Sequence, residues 1–566
     1  MRPRSGIVLS LLLALSGACG GNSPNSADLV LRHTLVYTVD SANPQAEAVA
    51  VKDGKIVFVG SNDSVAAFVG KRTRVLDLAG RMVLPGFEDT HAHPVTGGIE
   101  LGECNLNAAA NLDDVRRIVR ACDQQDPSAP WVRGGGFQLP IFPNGSPTRQ
   151  LLDSLVPGRP ALLSSADGHT SWVNSRALAI GGVTRASPDP LNGRIERDAN
   201  GDPAGTLRET AASLVSSKLP AHTDDDYLAG LERGLALAAR FGITTIHEAA
   251  ADESILRAFA RADSLGRLTA RSIISLEVKT REGTAQVAHL VALRTRYARG
   301  LVRPVAAKIF LDGVIEGQTA ALLAPYLDRP GYRGELNATP DQMSALVHAL
   351  DSADFKVHVH AIGDRAIRVA LDAFEKQHAL DNGAGPHHII AHIQLFDPAD
   401  IPRFAALGVV ADFQPLWFFR DAYMKDLTEP RLGPKRSGYQ YPMASMVRTG
   451  AIVAAGSDWS VSSMNPLDAI QVAMTHLALD DSTGAPWVPD ERVDLPTILR
   501  AYTLGGAIAS DHDSLTGSIT VGKAADLIVL SDNLFTLPAH RISQARVLLT
   551  LLGGREVFRD STAIVR

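Results

Sequence analysis

Hydrophobic positions along the chain fall into three regimes. In residues 28–84 they form short β-type runs at 29–31, 48–51, 55–59 and 74–78, with Asp53-Gly54 as a hairpin turn between two of them. A matching set closes the chain at 526–530, 547–551 and 556–558. Neither set can bury a core alone, so together they predict a small β-sandwich built from 28–84 and 511–566. Between them, apolar runs at 243–246, 306–311, 356–360, 388–392, 409–412 and 452–456 alternate with helical patterns at 227–241, 340–353, 365–378 and 466–479. Repeated β-α units of this kind predict an α/β chain with a parallel (β/α)8 TIM-like barrel over 85–510; a doubly wound open sheet is the alternative. Arg133-Gly134-Gly135-Gly136 lacks dinucleotide-binding glycine spacing and reads as a tight turn. Residues 141–221, rich in Pro, Gly, Asp and Asn, break the rhythm and predict an inserted lid subdomain.

Composition narrows the class. The 566 residues are 45% hydrophobic and 20% charged, ordinary for a globular protein able to bury a large core. A formal charge of −6, with no basic run, argues against nucleic acid as a partner. Arg2 and Arg4 precede an apolar run over 7–14 and then Ser16-Gly17-Ala18-Cys19, a pattern of export signals. The cysteine after small residues resembles a bacterial lipoprotein signal. Residues 1–27 are therefore expected to be signal and tether, with a lipid on Cys19 as the one membrane contact. An ordinary cleavage near Ala18 is the alternative, and both export the chain to the cell envelope, on its periplasmic or outer side. Cys104 and Cys122 are left either to pair or to stay free.

Candidate chemistry centres on Pro85-Gly86-Phe87-Glu88-Asp89-Thr90-His91-Ala92-His93. Two histidines one residue apart on an extended segment point to the same side, which suits a divalent transition metal. In a barrel, functional groups lie at the carboxyl ends of the strands. His360 and His392 end apolar runs, Asp458 follows one, and Lys308 lies inside one, where a lysine is costly unless paired or modified.

These residues carry a resemblance. Pro-Gly-Phe-x-Asp-x-His-x-His is similar to the first metal motif of the amidohydrolase superfamily. Lys308-Ile309-Phe310-Leu311-Asp312-Gly313, the run from His360 to Ala366, Gly456-Ser457-Asp458-Trp459 and the run from Gly168 to Ser175 resemble the amidohydrolase 3 subgroup related to N-substituted formamide deformylase. Glu88 and Phe137 depart from that pattern, where Ile or Val and Trp are usual. The resemblance implies that His91, His93, Lys308, His360, His392 and Asp458 are ligands from strands one, four, five, six and eight. They would hold a divalent metal, zinc foremost, as one or two ions. It further implies metal-activated hydroxide as nucleophile, Asp458 as the catalytic proton carrier, and a carboxylated Lys308; a lysine that pairs with Asp312 or polarises substrate in a one-metal site is the alternative.

His169, Trp172 and Asn174 on the insert, His247 at the end of 243–246, and Trp417 in an aromatic segment are candidate substrate contacts; packing and capping are the alternatives for them. Glu316 is a weaker acidic ligand candidate, and Arg194 or Arg208 could receive a substrate carboxylate. His358 and His388 read as supporting or packed histidines. The expected activity is hydrolysis of a non-peptide C–N amide bond of the N-formyl or N-acyl amine type on a small-molecule substrate. Alternatives are the same barrel acting on a lactone, cyclic amide, carbamate or dipeptide, or a non-catalytic envelope binding protein. A homo-oligomer is left open.

Overall fold

A computed structural model describes residues 26–562; the signal and lipidation expectation for Cys19 lies outside them. Eight parallel strands run in sequential order around one sheet: β1 (Phe87–Ala92), β2 (Ile243–Ala251), β3 (Arg271–Glu277), β4 (Val302–Phe310), β5 (Lys356–Ala361), β6 (Ile389–His392), β7 (Val410–Phe413) and β8 (Ile452–Ala455). β8 meets β1 through a parallel bridge between Ala92 and Trp459, so the sheet closes nearly into a barrel. Two further bonds seal that seam: Asp458 N donates to His91 O at 2.6 Å, and His93 N donates to Trp459 O at 2.6 Å. Seven of the eight strands are buried over most of their length, as a helix-covered parallel sheet requires.

The helix that enters β2 shows how the sequence builds the outer ring. α2 (Asp224–Arg240) begins at a capping box between Thr223 and Asp226 and buries Leu228, Leu231, Leu235, Ala238 and Ala239, a helical stripe. It packs against α1 (Pro94–Glu100), which starts directly after His93. A Cβ on Gly98 would lie 1.9 Å from Gly230 O, and one on Gly234 would lie 2.4 Å from Pro94 O. The glycines thus let two helix backbones touch, and that contact fixes where the chain leaves the His91–His93 segment.

Both chain ends form two sheets around a shared core that includes Leu31, Val49, Val83, Leu527 and Leu549. One sheet has four strands, in the order Lys55–Gly60, Ala48–Lys52, Leu29–Arg32 and Arg74–Asp77. The other interleaves Leu527–Leu530 and Val547–Leu552 with Met82–Pro85 and Leu35–Tyr37. Asp53 and Gly54 both take positive φ (51° and 74°), the geometry a two-residue I′ hairpin needs.

A third sheet of six strands separates β1 from β2. It contains Cys104–Asn105 and Val132–Phe137 as well as Ala161–Ser165, Thr170–Val173, Pro203–Glu209 and Gly193–Arg197. The layer therefore begins near Cys104, not at 141. The Arg133–Gly136 run is part of a strand rather than a tight turn: Gly134 and Gly135 pair with both neighbouring strands, and only Gly136 (φ 91°) breaks the register. Its glycines are explained by crowding, since a Cβ on Gly134 would meet Cys104 O at 2.2 Å.

Cys104 and Cys122 are disulfide-bonded across 18 residues. Loop-closure entropy predicts that replacing both by serine costs about 3 kcal/mol, visible as a lowered unfolding midpoint that reducing agent reproduces in the parent protein.

Glu88, the departure noted in the β1 motif, is buried beside Thr516, whose hydroxyl donates to its Oε1 at 2.6 Å, while Oε2 has no partner. Burial pushes this carboxyl up to about 8. The folded state therefore keeps a proton that the unfolded chain releases near the ordinary value of 4.5, so Glu88 lowers stability as pH rises between these limits. Glu88→Gln is expected to gain on the parent by up to about 1.4 kcal/mol per pH unit across that window, read by urea unfolding at pH 5 and 9. Equal pH dependence of the two proteins would show that Glu88 is not the group responsible.

Candidate metal centre and substrate cavity

Six chemistry-bearing side chains far apart in sequence meet at the carboxyl mouth of the barrel. His91 sits in β1 and His93 just after it, Lys308 in β4, His360 in β5, His392 at the end of β6, and Asp458 after β8. Asp458 Oδ1 lies 3.3 Å from His93 Nε2 and 3.7 Å from His91 Nε2. Lys308 Nζ lies 2.9 Å from His91 Nε2. The His392 ring centroid is 4.7 Å from that of His91 and 4.6 Å from that of His360. Ligand atoms of His91, His392 and Asp458 fall within 4.8 Å of one another.

The backbone is bent to achieve this. His392, Ile393 and Asp458 have φ of 77°, 48° and 50°, a left-handed conformation that is costly for side chains other than glycine and especially for a β-branched one. Such geometry persists where surrounding contacts enforce it. Here Asp89 helps, since its Oδ1 accepts from Ser457 N and its Oδ2 from Ser457 Oγ, at 2.9 and 2.5 Å, tying β1 to the loop that carries Asp458.

Each imidazole has a partner behind it. His91 Nδ1 faces His358 Nε2 at 3.1 Å and Asp412 Oδ2 at 3.5 Å. His93 Nδ1 faces Glu248 Oε1 at 3.4 Å, and His360 Nδ1 faces Asp312 Oδ1 at 3.4 Å. His392 Nδ1 pairs with Gln414 Oε1 at 2.8 Å while the ring stacks on Trp417. Partners of this sort fix ring orientation and tautomer for ligation through the other nitrogen. Gln414→Leu is accordingly expected to weaken metal affinity about 10- to 100-fold, measured by competition with a chromogenic chelator.

The electrostatics favour a cation. Burial drives His91 and His392 well below the ordinary histidine range and lowers His360, leaving neutral imidazoles. His93 behaves oppositely: burial works against its charge, yet Asp458 and Glu248 hold it up at about 9. Burial lowers Lys308 to about 8 against the pull of Asp458, Asp412 and Glu248. Burial also raises Asp412 to about 7, and its Oδ2 has no hydrogen-bond partner. Neutral imidazoles beside buried carboxylates form a donor set that a divalent ion fits.

Above this cluster opens a cavity of about 520 Å³. Of the proposed substrate contacts, His169 and Trp417 line it. His169 pairs with Glu209 Oε2 at 2.9 Å, and its ring lies 5.6 Å from that of His360. Burial opposes the His169 charge, but Glu209 prevails and raises it to about 9.

The other candidates have surroundings that differ from those expected. Trp172 is fully buried between Phe137 and Phe142, with its indole N–H donating to Thr148 O. Asn174 caps the helix Ser175–Ile180 and donates to Val156 O and Arg159 O. His247 lies in mid-strand, because β2 continues to Ala251, and it pairs with Ser510 Oγ at 2.6 Å. Arg208 does not await a substrate carboxylate either; it is bound to Glu196, Thr170 and Gly145. Arg194 is held by Glu196. Lys308 is not paired with Asp312, whose carboxylate accepts from the amides of Ala321, Ile362 and Gly363. Glu316 lines the cavity but is held by Thr428 rather than by the histidine cluster.

Glu248, Asp412 and Gln414 went unassigned in the sequence. Asp412 was legible as the polar end of an apolar run. Glu248 was masked by His247 beside it, and Gln414 has no signal outside the fold.

A model of the amidohydrolase family matches residues 74–558. The chain belongs to that family. Within it, the chain falls in the amidohydrolase 3 subgroup that includes N-substituted formamide deformylase, and membership makes it a hydrolase. It is 30% identical to the protein LONG AFTER FAR-RED 3 of Arabidopsis thaliana, over 94% of this chain and 92% of that one. It is 28% identical to the N-substituted formamide deformylase of Arthrobacter pascens, over 93% and 97%. Among solved structures it is similar to a metal-dependent hydrolase from Pyrococcus horikoshii, with a TM-score of 0.71 at 20% identity over 90% of this chain and 99% of that one. The similarity of fold extends to zinc-complexed atrazine chlorohydrolase from Arthrobacter aurescens, with a TM-score of 0.50 at 17% identity over 95% and 97%.

Proposed function

We propose that this amidohydrolase cleaves a non-peptide C–N amide bond of the N-formyl or N-acyl amine type. The observation that carries the reading is the convergence of four histidines, Lys308 and Asp458 beneath one cavity. His91, His93, His360, His392, Lys308 and Asp458 would hold a divalent metal, zinc foremost. When bound, such an ion acts as a Lewis acid and makes water acidic enough to serve as a nucleophile near neutral pH.

The protein's own groups do the rest. Asp458, placed between His91 and His93 at the cavity floor, accepts a proton from water and returns it to the departing amine nitrogen. His169, kept charged by Glu209, offers an N–H at the cavity wall to a substrate carbonyl oxygen. Trp417, stacked on His392, gives an apolar surface for the substrate's organic part. Similarity to the Arthrobacter pascens deformylase supports the choice of amide. The binding-protein alternative expects a missing ligand, and all six positions are filled.

The test is hydrolysis of a panel of N-formyl and N-acyl amines by metal-loaded and chelator-stripped protein, with metal added back. Loss and recovery of amine release is expected. Inert metal-loaded protein across the whole panel would overturn the reading.

We also propose that the enzyme acts outside the cytoplasm. The amino-terminal pattern and the Cys104–Cys122 disulfide support this. Fractionation of cells carrying the parent and Cys19→Ala chains tests it, and cytoplasmic recovery of the parent would refute it.

A further inference from the structure

Part of the cavity lining carries chemistry that the amide reading leaves unused. Asp167, Glu316 and Asp421 all line it, while no lysine or arginine is among its described lining residues. None of the three carboxylates forms an ion pair among the described residues. Glu316 is 8% exposed, and its Oε1 accepts from the Thr428 hydroxyl. Asp167 uses Oδ1 to accept from His169 N at 3.0 Å, and its Oδ2 is buried with no hydrogen-bond partner. Asp421 Oδ1 accepts from Met424 N at 2.9 Å. Arg431, whose field reaches Glu316, is already engaged by Leu427 O and by Asp328 at 3.8 Å.

The three acids form one group. Burial raises Glu316, and Asp167 raises it further; burial lifts Asp421 to about 6, with Glu316 adding to the effect. Asp167 already lies in the field of the charged His169, but no cation is paired with Glu316 or Asp421 among the described residues, and like charges so placed are unfavourable unless something positive joins them. The metal end does not provide it, since its carboxylates are faced by His93, Lys308 and the metal they would hold. Trp417, Phe419 and Tyr423 line the same cavity, and aromatic faces attract organic cations as well.

We propose that this acidic, aromatic wall selects substrates that carry a positively charged ammonium group in addition to the scissile bond. For the bond itself, the inference rests on the amide reading: the substrate class becomes a mono-acylated diamine or a similarly basic acyl amine. The cation site can be tested without that bond.

The decisive experiment titrates metal-loaded protein calorimetrically with choline and with its neutral isostere 3,3-dimethylbutan-1-ol, neither of which presents an amine lone pair to a metal. Choline is expected to bind about ten-fold tighter or more. That gap should fall to about two-fold or less in Glu316→Gln/Asp421→Asn, and narrow in Asp167→Asn. Equal affinities in the parent protein, or a gap that survives both variants, overturns the proposal. Turnover of N-formyl-1,5-diaminopentane against N-formylhexylamine reads the amide assignment separately. An intact binding gap with neither compound hydrolysed removes the amide and keeps the cation site. Faster hydrolysis of the neutral compound removes the cation preference and keeps the amide.

Discussion

Asp458→Asn should lower kcat by about 10²- to 10⁴-fold on whatever substrate the parent hydrolyses, with metal supplied in excess and the fold unchanged. The substitution isolates the proton-carrying role because of where the residue sits. Asp458 has φ of 50°, a conformation asparagine tolerates almost as readily as aspartate, and its amide donates to His91 O whatever the side chain. Asparagine also keeps an oxygen that can face His93 Nε2, now 3.3 Å away. What it lacks is a carboxylate able to take a proton and release it. Steady-state kinetics, metal analysis and the unfolding midpoint, measured on one preparation, separate these effects. Retention of more than about a tenth of kcat at full metal loading would assign the proton to another group. Glu248 would then be examined first, being the other carboxylate against His93.

Much of this site was readable before any coordinates, for a physical reason. A closed parallel sheet puts chemistry at the carboxyl ends of its strands. His360 and His392 end apolar runs, and His91 and His93 share one side of an extended segment, so strand order and polarity, together with the family resemblance, pointed to one cluster. The same rule misled at His247, because the end of an apolar run is not always the end of a strand: β2 carries on through Glu248 to Ala251. Trp172 and Asn174 show a different failure. An aromatic ring and an amide in an insert look like recognition groups, yet the inserted layer needs its own core and caps, and these residues provide them. The reach of the inserted sheet back to Cys104 was hidden by glycines, whose crowded strand at 132–137 looks like a turn in one dimension. Of the acidic wall, the sequence singles out Glu316 alone, and as a ligand candidate rather than as part of a wall. Asp167, Glu316 and Asp421 lie in three separate connections, and only folding makes them neighbours.

Lys308→Ala should abolish activity, by about 10³-fold or more, and millimolar propionate or butyrate should restore part of it if the lysine works as a carbamate. The side chain is fully buried with Nζ 2.9 Å from His91 Nε2, so no solvent stabilises its ammonium. Its value of about 8, below the ordinary 10.5, means that the free amine is accessible at moderately alkaline pH. That amine can attack carbon dioxide, forming an N–C bond and releasing one proton, and the product is an anion suited to neighbouring cations. Alanine leaves a space with the outline of the lost side chain, which a short carboxylate can enter with its charge at the same depth. An amine that merely pairs with Asp458 would give no such rescue, and ¹³C-bicarbonate would give no carbamate resonance in the parent. The stability readout runs the other way. A lysine with a lowered folded-state value binds fewer protons folded than unfolded between about pH 8 and 10.5, so stability rises with pH across that window and the full cost is carried below it. Lys308→Met, which removes the charge and keeps the bulk, is therefore expected to be at least as stable as the metal-free parent at pH 7, and inactive. A variant both inactive and strongly destabilised would mean that Lys308 holds the barrel together rather than serving its chemistry.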